Sequence, residues 1–456
     1  MHMILPLQKR RPITAGNKEA EWSWCFLFFC YRLLYYYLAS LRRTLVPHTI
    51  MKQIKTLHLC PLASLREKPH KPAMKKNLLR FLFIFIVANL QIVAFAQDTS
   101  HLRISLLTCT PGEELYSTFG HTAIRVVDSS SVTDYVFNYG TFNFDDDGFY
   151  LKFIKGKLMY YLSAEYFAVF KEDYKAANRG ITEQVLNLSA AEKISFQQAL
   201  LTNIKEANKF YKYDFFFDNC TTRPRDLIVQ FKNPPPQWVA VVPAGTRFRQ
   251  AIHSYLDKNE KYWSKLGIDL LLGEPTDAVM TAKQSQFLPD VLMMSLDSSN
   301  KQNSLLLSST NLYAIETDKN KGSIFTPTVV FSLLLIFIVG LSLSRNKWAI
   351  IFLQGFDGLL FFLSGAVGIL LVFMWTSTDH AMCKNNYNLL WALPTNTLLA
   401  FFTSSKKSFI KKYFLATTIF LALVVLTWFF LPQQMNSAFL PIVLLLIYRS
   451  AGKYFF

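Results

Sequence analysis

The sequence predicts a mixed α+β domain followed by an all-α, five-helix membrane domain. Three observations carry this expectation. Between residues 101 and 142 apolar positions alternate in short runs, as half-buried strands require. A capped helical stretch and further helix-like segments follow. From residue 324 the chain changes to five apolar runs joined by short polar loops. Across all 456 residues 51% are apolar and 15% aromatic, which is high for a protein surrounded by water.

The formal charge of +17 raises a nucleic-acid reading, which its placement argues against. Residues 1–73 hold 12 Lys/Arg against 3 Asp/Glu, and much of the remaining excess flanks apolar runs, where basic residues set membrane topology. No basic stripe interleaved with aromatics is present, so no nucleic-acid partner is expected.

Residues 74–96 read MKKNLLRFLFIFIVANLQIVAFA. A Met is followed by Lys75, Lys76 and Arg80, then an apolar run, then Ala94-Phe95-Ala96. This is the order of a secretory signal peptide, with the mature chain starting near Gln97. A signal peptide works at an N-terminus. Residues 1–73 therefore read as upstream sequence translated in frame ahead of a start at Met74. The rival reading is an extra membrane helix over Trp22–Leu41.

Within 97–322, "RISLLTC", "GHTAIRVV" and "DYVFNYG" read as strands, the last two as a hairpin across Asp-Ser-Ser-Ser. Residues 145–180 mix aromatics with Lys and resist assignment. Residues 189–210 read as a helix capped by Ser189. "YKYDFFF" then reads as a strand, and Cys220 as the start of a helix whose first turn tolerates Pro224. The remainder to 322 reads as mostly helical.

The apolar runs lie at 326–344, 349–376, 387–402, 410–431 and 437–451. Basic residues follow the first, third and fifth runs, and the other two loops are poor in them. Basic loops stay in the cytoplasm, so 323–456 is expected as five spans of an inner-membrane protein with residues 97–322 in the periplasm. The outer loop after the second run, STDHAMCKNNYNLLWALP, places Asp379, His380 and Cys383 on the same side. It reads either as a polar loop anchored by Trp391 or as a second polar site facing the soluble domain.

In that oxidising compartment the exported domain keeps two cysteines, Cys109 and Cys220. A disulfide between them is one reading, and a buried inert Cys109 another. Cys220 at a helix N-terminus is also suited to chemistry, because the helix N–H groups and dipole favour a thiolate and can receive an oxyanion. A thiolate needs a base, usually His. The domain offers His101, His121 and His253. His121 opens an apolar strand and reads either as a site residue or as a satisfied core His. Asn138 or Tyr139 on the paired strand would orient it.

"FGHTAIRV" followed about 100 residues later by "DNCTT" resembles the circularly permuted papain-like (NlpC-type) fold, in which His precedes Cys. "SLLTCTPGEELYSTFGHTAIRV", "VFNYGTFNF", "YDFFFDNCTTRPRDLI", "FLPDVLM" and "DHAMCKNNYNLLWALP" together resemble the Lnb family of Bacteroidetes, lipoprotein N-acyltransferases with a periplasmic domain and a helical membrane domain. The resemblance implies Cys220 as nucleophile and His121 as base, with Asn138 proposed as third member. Tyr139, Arg223 and His380 are the expected substrate contacts. It further implies a phospholipid acyl donor, a diacylglyceryl lipoprotein acceptor and no cofactor or metal. Two other functions fit the residues: an NlpC-type peptidase or amidase acting on cell-wall peptide, and a non-enzymatic envelope protein held by a Cys109–Cys220 disulfide.

Overall fold

Apolar alternation resolves into an antiparallel sheet. A computed structural model of the chain describes residues 98–314 and 322–455. Residues 1–73 and the segment 74–96, expected as a signal peptide, lie outside the described residues. The elements of the first half are β1 (Leu102–Cys109), β2 (His121–Asp128), β3 (Thr133–Thr141), α1 (Phe149–Ile154), β4 (Met159–Tyr166), α2 (Phe167–Ala176), β5 (Ile181–Leu186), α3 (Ala190–Asn203), β6 (Phe210–Lys212), α4 (Thr222–Phe231), α5 (Phe248–Lys258), α6 (Tyr262–Leu271), α7 (Pro289–Asn303) and β7 (Leu306–Tyr313). The seven strands form one sheet in the order β6-β4-β3-β2-β1-β5-β7, every pairing antiparallel.

Strand period decides what covers each face. Ile104, Leu106, Ile124, Val126, Phe137 and Tyr139 point to one side, where they pack with Phe196 and Leu200 of α3, Leu227 and Ile228 of α4, and Leu292 and Leu296 of α7. Phe196 and Leu200 are fully buried, and such a side chain contributes roughly 1.5–3 kcal/mol of transfer free energy. Leu107, Cys109, Ala123 and Val136 point to the other side, under Phe170 of α2. β1 is buried on both faces from Ile104 to Cys109.

The structure corrects several sequence expectations. Residues 145–180 contain α1, β4 and α2. The helix capped by Ser189, whose capping box with Glu192 is present, ends at Asn203 and not at 210. The expected strand "YKYDFFF" shortens to Phe210–Lys212. Asp214 Oδ1 accepts from the N–H groups of Phe216 (2.8 Å) and Phe217 (3.0 Å), which turns the chain. Phe215 and Phe216 then pack with Phe248, Phe287 and Leu288, so that "FLPDVLM" and the phenylalanine run form one core. Residues 306–313, expected as helix, are the edge strand β7.

The second half contains α8 (Pro327–Ser342), α9 (Lys347–Thr376), α10 (Ser408–Thr427) and α11 (Leu440–Phe455). Two helices, Lys347–Thr376 and Ser408–Phe430, are long and apolar enough to cross a membrane unaided. The expected five helices become four plus a broken segment: residues 387–402 fold as short helical turns. Pro394 lies within this segment, which packs closely on α9. A Cβ on Gly365 would come within 2.1 Å of Thr397 N, and one on Gly368 within 2.0 Å of Ala392 O. The broken backbone therefore lies directly on a glycine face, where irregular chain at membrane depth is sheltered by protein. Buried Asp357 of α9 pairs with Arg449 (Nη2–Oδ2 2.8 Å) and Lys453 of α11, while Arg449 also donates to Ser342 of α8 (2.8 Å). One carboxylate thus ties three helices together.

The polar loops join the two halves through backbone groups. Asn386 Nδ2 donates to the carbonyls of Leu270 (2.8 Å) and Leu271 (3.0 Å), Asn388 Nδ2 to that of Asp269 (3.0 Å), and Gln433 Nε2 to that of Leu272 (3.1 Å). These are the orphan carbonyls at the C-terminal end of α6. Met382 enters the phenylalanine core.

Candidate active site

Cys220 sits two residues before α4, and its neighbour Asn219 fixes that start. Asn219 Oδ1 accepts from Thr221 N and Thr222 N, both at 2.8 Å, and its Nδ2 donates to the carbonyls of Phe215 (2.7 Å) and Phe287 (2.9 Å). Both ends of this buried amide are used. Asn219 is thus the capping side chain, a role the sequence reading did not give it. The cap also occupies the Thr221 and Thr222 N–H groups, so those donors are not free to receive an oxyanion, contrary to expectation. Thr221 Oγ1 lies 3.1 Å from Thr122 Oγ1, which pins the start of α4 to β2.

His121 opens β2, directly opposite Cys109. Its Nε2 lies 3.1 Å from Asn138 Oδ1, and Asn138 Nδ2 donates to Glu165 Oε1 at 2.9 Å. This second bond settles the orientation of the amide. A carboxylate only accepts, so the NH2 group faces Glu165 and the carbonyl oxygen faces the ring. His121 Nε2 then carries a hydrogen, which leaves Nδ1 as the basic nitrogen of the neutral ring. Sheet register explains the alignment: Val136 is opposite Glu165 and Asn138 opposite Ser163, so Glu165 is diagonal to Asn138 on the same face. Glu165 went unrecognised in the sequence because it falls in the unassigned 145–180 stretch.

The electrostatics of His121 and Cys220 are linked. Burial pushes the Cys220 thiol up, but the charge and hydrogen bond of His121, the Thr122 N–H and the Thr221 hydroxyl outweigh it, and the thiol is held below its ordinary value. Burial pushes the His121 imidazole down; the Cys220 charge and hydrogen bond, then Asn138, outweigh this, and the imidazole is raised. Both directions favour a thiolate–imidazolium pair.

Gly140 packs beside Cys220 in a backbone conformation that L side chains rarely adopt. It has φ +87°, and a Cβ there would lie 3.4 Å from Cys220 Cβ and 3.5 Å from the Tyr213 ring. Cys109 and Cys220 are both free, which overturns the disulfide reading. Cys109 is buried, and that burial pushes its thiol up to about 12, consistent with an inert sulfur.

The expected substrate contacts are engaged elsewhere. Tyr139 alternates with Asn138 and so faces the core, 2% exposed, accepting from Asn203 Nδ2 at 2.8 Å. Arg223 forms a two-point ion pair with Asp218 (2.6 and 2.7 Å) and stacks on the Tyr211 ring. His380 Nε2 lies 3.1 Å from the carbonyls of Phe153 and Ile154, at the end of α1. His253 pairs with Asp269 at 2.8 Å. The structure therefore brings together Cys220, His121 and Asn138, adds Glu165, and holds Tyr139, Arg223 and His380 in other bonds.

A family model described as the Lnb N-terminal periplasmic domain matches residues 94–246, and one described as the Lnb transmembrane domain matches residues 318–456. This chain belongs to the Lnb family. The first match spans every residue of the Cys220 cluster, and the second contains the glycine face of α9 and the loop with His380. No curated protein and no solved structure matches this Lnb chain.

Proposed function

We propose that this Lnb protein is a membrane-held thiol acyltransferase that moves a phospholipid acyl chain onto the N-terminal amine of a diacylglyceryl lipoprotein. The observation that carries the reading is the line Glu165–Asn138–His121–Cys220 at a helix start, in a domain joined by backbone contacts to the loops between apolar helices. The family supports acyl transfer in a periplasmic and membrane setting.

In the proposed reaction His121 Nδ1 takes the Cys220 proton and the thiolate attacks an ester carbonyl of the donor. The tetrahedral oxyanion collapses, the carbon–oxygen bond to glycerol breaks, and the imidazolium protonates the departing lysophospholipid oxygen. A Cys220 thioester remains. The lipoprotein α-amine then attacks this carbonyl, His121 accepts a proton from the nitrogen, and the carbon–sulfur bond breaks. The products are an amide and Cys220 thiolate, which regains its proton from His121. The Cys220 N–H, left out of the Asn219 cap, is the nearest backbone donor for the oxyanion. A sulfur anchored at the bilayer meets both lipid substrates at high effective concentration, which gives the membrane half a purpose beyond tethering. The reading places that half across the inner membrane, with residues 387–402 crossing in broken form against α9, and the permuted papain-like arrangement of His before Cys in the periplasm.

Mass spectrometry of lipoprotein N-termini tests this. Cells lacking the chain and complemented with Cys220→Ala should accumulate lipoproteins with a free α-amine, and the wild-type chain should restore the amide. Normal N-acylation in the Cys220→Ala strain would reject the proposal.

A further inference from the structure

A continuous apolar surface leads away from the thiol. Leu115 and Tyr116 in the β1–β2 loop, Phe144 after β3, and Tyr150, Leu151 and Phe153 on α1 are all large, apolar and exposed, Tyr150 at 69% and Tyr116 at 64%. Exposed aromatics gathered this way mark a binding surface and not the isolated apolar residues of an ordinary exterior. Rings connect this surface to the site. Tyr116 meets Phe142 (6.3 Å between centroids), Phe142 meets Tyr160 (5.3 Å), and Tyr160 stacks on Tyr213 (4.3 Å), which with Cys220 borders the space at Gly140.

The position of α1 identifies what this surface meets. Asp379 N donates to Lys155 O at 3.0 Å, and His380 Nε2 lies 3.1 Å from the Phe153 and Ile154 carbonyls. Asp379 is three residues past Thr376, the last residue of the 30-residue apolar helix α9. Three or four residues span at most roughly 10–14 Å when extended, and the headgroup zone is about 5–8 Å deep on each side of the hydrocarbon. With the C-terminal end of α9 at the bilayer surface, the end of α1 lies within reach of the headgroups. Its sequence, FYLKFI followed by Lys155 and Lys157, mixes aromatics with Lys as interfacial segments do.

We infer that α1, with the Leu115–Tyr116 and Phe144 loops, inserts into the outer-facing lipid interface, and that acyl chains reach Cys220 along the Phe142–Tyr160–Tyr213 wall. The second clause rests on the acyltransferase reading; the first does not. Both are tested on the full chain in nanodiscs containing a phospholipid with a photoactivatable acyl chain. Lipid crosslinks in the wild type are expected at residues 115–116 and 144–153. In Tyr150→Ser/Leu151→Ser/Phe153→Ser they should fall at least ten-fold, with acyl transfer to a lipoprotein acceptor falling comparably, while alkylation of Cys220 by water-soluble iodoacetamide stays within two-fold. The alkylation rate establishes that the variant is folded, and the wild-type crosslinks do not depend on the variant. Absence of lipid crosslinks at these residues, or crosslinks there to a second copy of the chain, would overturn the inference. Crosslinks as expected with no acyl transfer by the wild type would uphold the insertion and remove the acyltransferase reading.

Discussion

Asn138→Ala separates a catalytic line from a chance contact. In the wild type the Asn138 carbonyl accepts from His121 Nε2 at 3.1 Å and is itself held by Glu165. Truncation removes the side-chain partner that fixes which ring nitrogen carries the hydrogen. A hydrogen bond to a charged partner contributes about 1.5–3 kcal/mol, and at 1.36 kcal/mol per decade this corresponds to a loss of roughly 10- to 150-fold in the chemical step. Asn138 also helps raise the imidazole. Its loss lowers that pKa, so the imidazolium is lost at lower pH and the alkaline limb of the rate profile moves down. The assay is single-turnover formation of the acyl-enzyme against pH, using a chromogenic ester in detergent. Glu165→Ala, which removes the support of Asn138, should give the same shift at smaller size, because it acts on the imidazole through one further bond. An Asn138→Ala protein within two-fold of wild type, with its alkaline limb unmoved, would refute the reasoning.

The thiol itself is the next test. His121 holds the Cys220 pKa down, so the rise in iodoacetamide alkylation with pH should move to higher pH in His121→Ala; an unmoved limb would mean the two groups do not interact. Asn219→Ala removes a helix cap, at about 0.5–2 kcal/mol, and leaves two buried carbonyls without their donor, at about 1–3 kcal/mol each. Its thermal midpoint in detergent should fall by several degrees or more, and an unchanged midpoint would contradict the capping geometry. In the membrane half, Gly365→Leu drives a side chain into Thr397, whereas Gly355 has nothing within 4 Å. The first should aggregate in size-exclusion chromatography and Gly355→Leu should not; equal behaviour would argue against close packing of the broken segment on α9.

The parts of the fold visible in the sequence were those governed by one short-range rule. Strands β1 to β3 follow period two, Ser189 and Glu192 form a capping box, and Cys220 precedes a helix. Asn138 was reachable because the hairpin register puts it on the His121 strand's neighbour. The same alternation should have removed Tyr139, since adjacent strand residues face opposite sides. Glu165 was hidden because its strand is framed by aromatics and Lys that give no period. β7 was misread because an edge strand with exposed serines and threonines lacks the apolar pattern of a covered one. The broken segment at 387–402 looks like a span by composition; Pro394 interrupts it locally, and the glycines that let it lie close against α9 are on another helix, which no local window contains.

The joint formed by Asn386, Asn388 and Gln433 bears on how the chain can be divided. A gene cut near residue 322 would release a globule whose helix α6 ends in bare carbonyls and whose phenylalanine cluster lacks Met382. Such a fragment would need new solvent or detergent partners for those groups. Crystallisation or screening with the water-soluble piece alone would therefore study an altered molecule, and fusion partners belong at the ends of the chain and not at this seam.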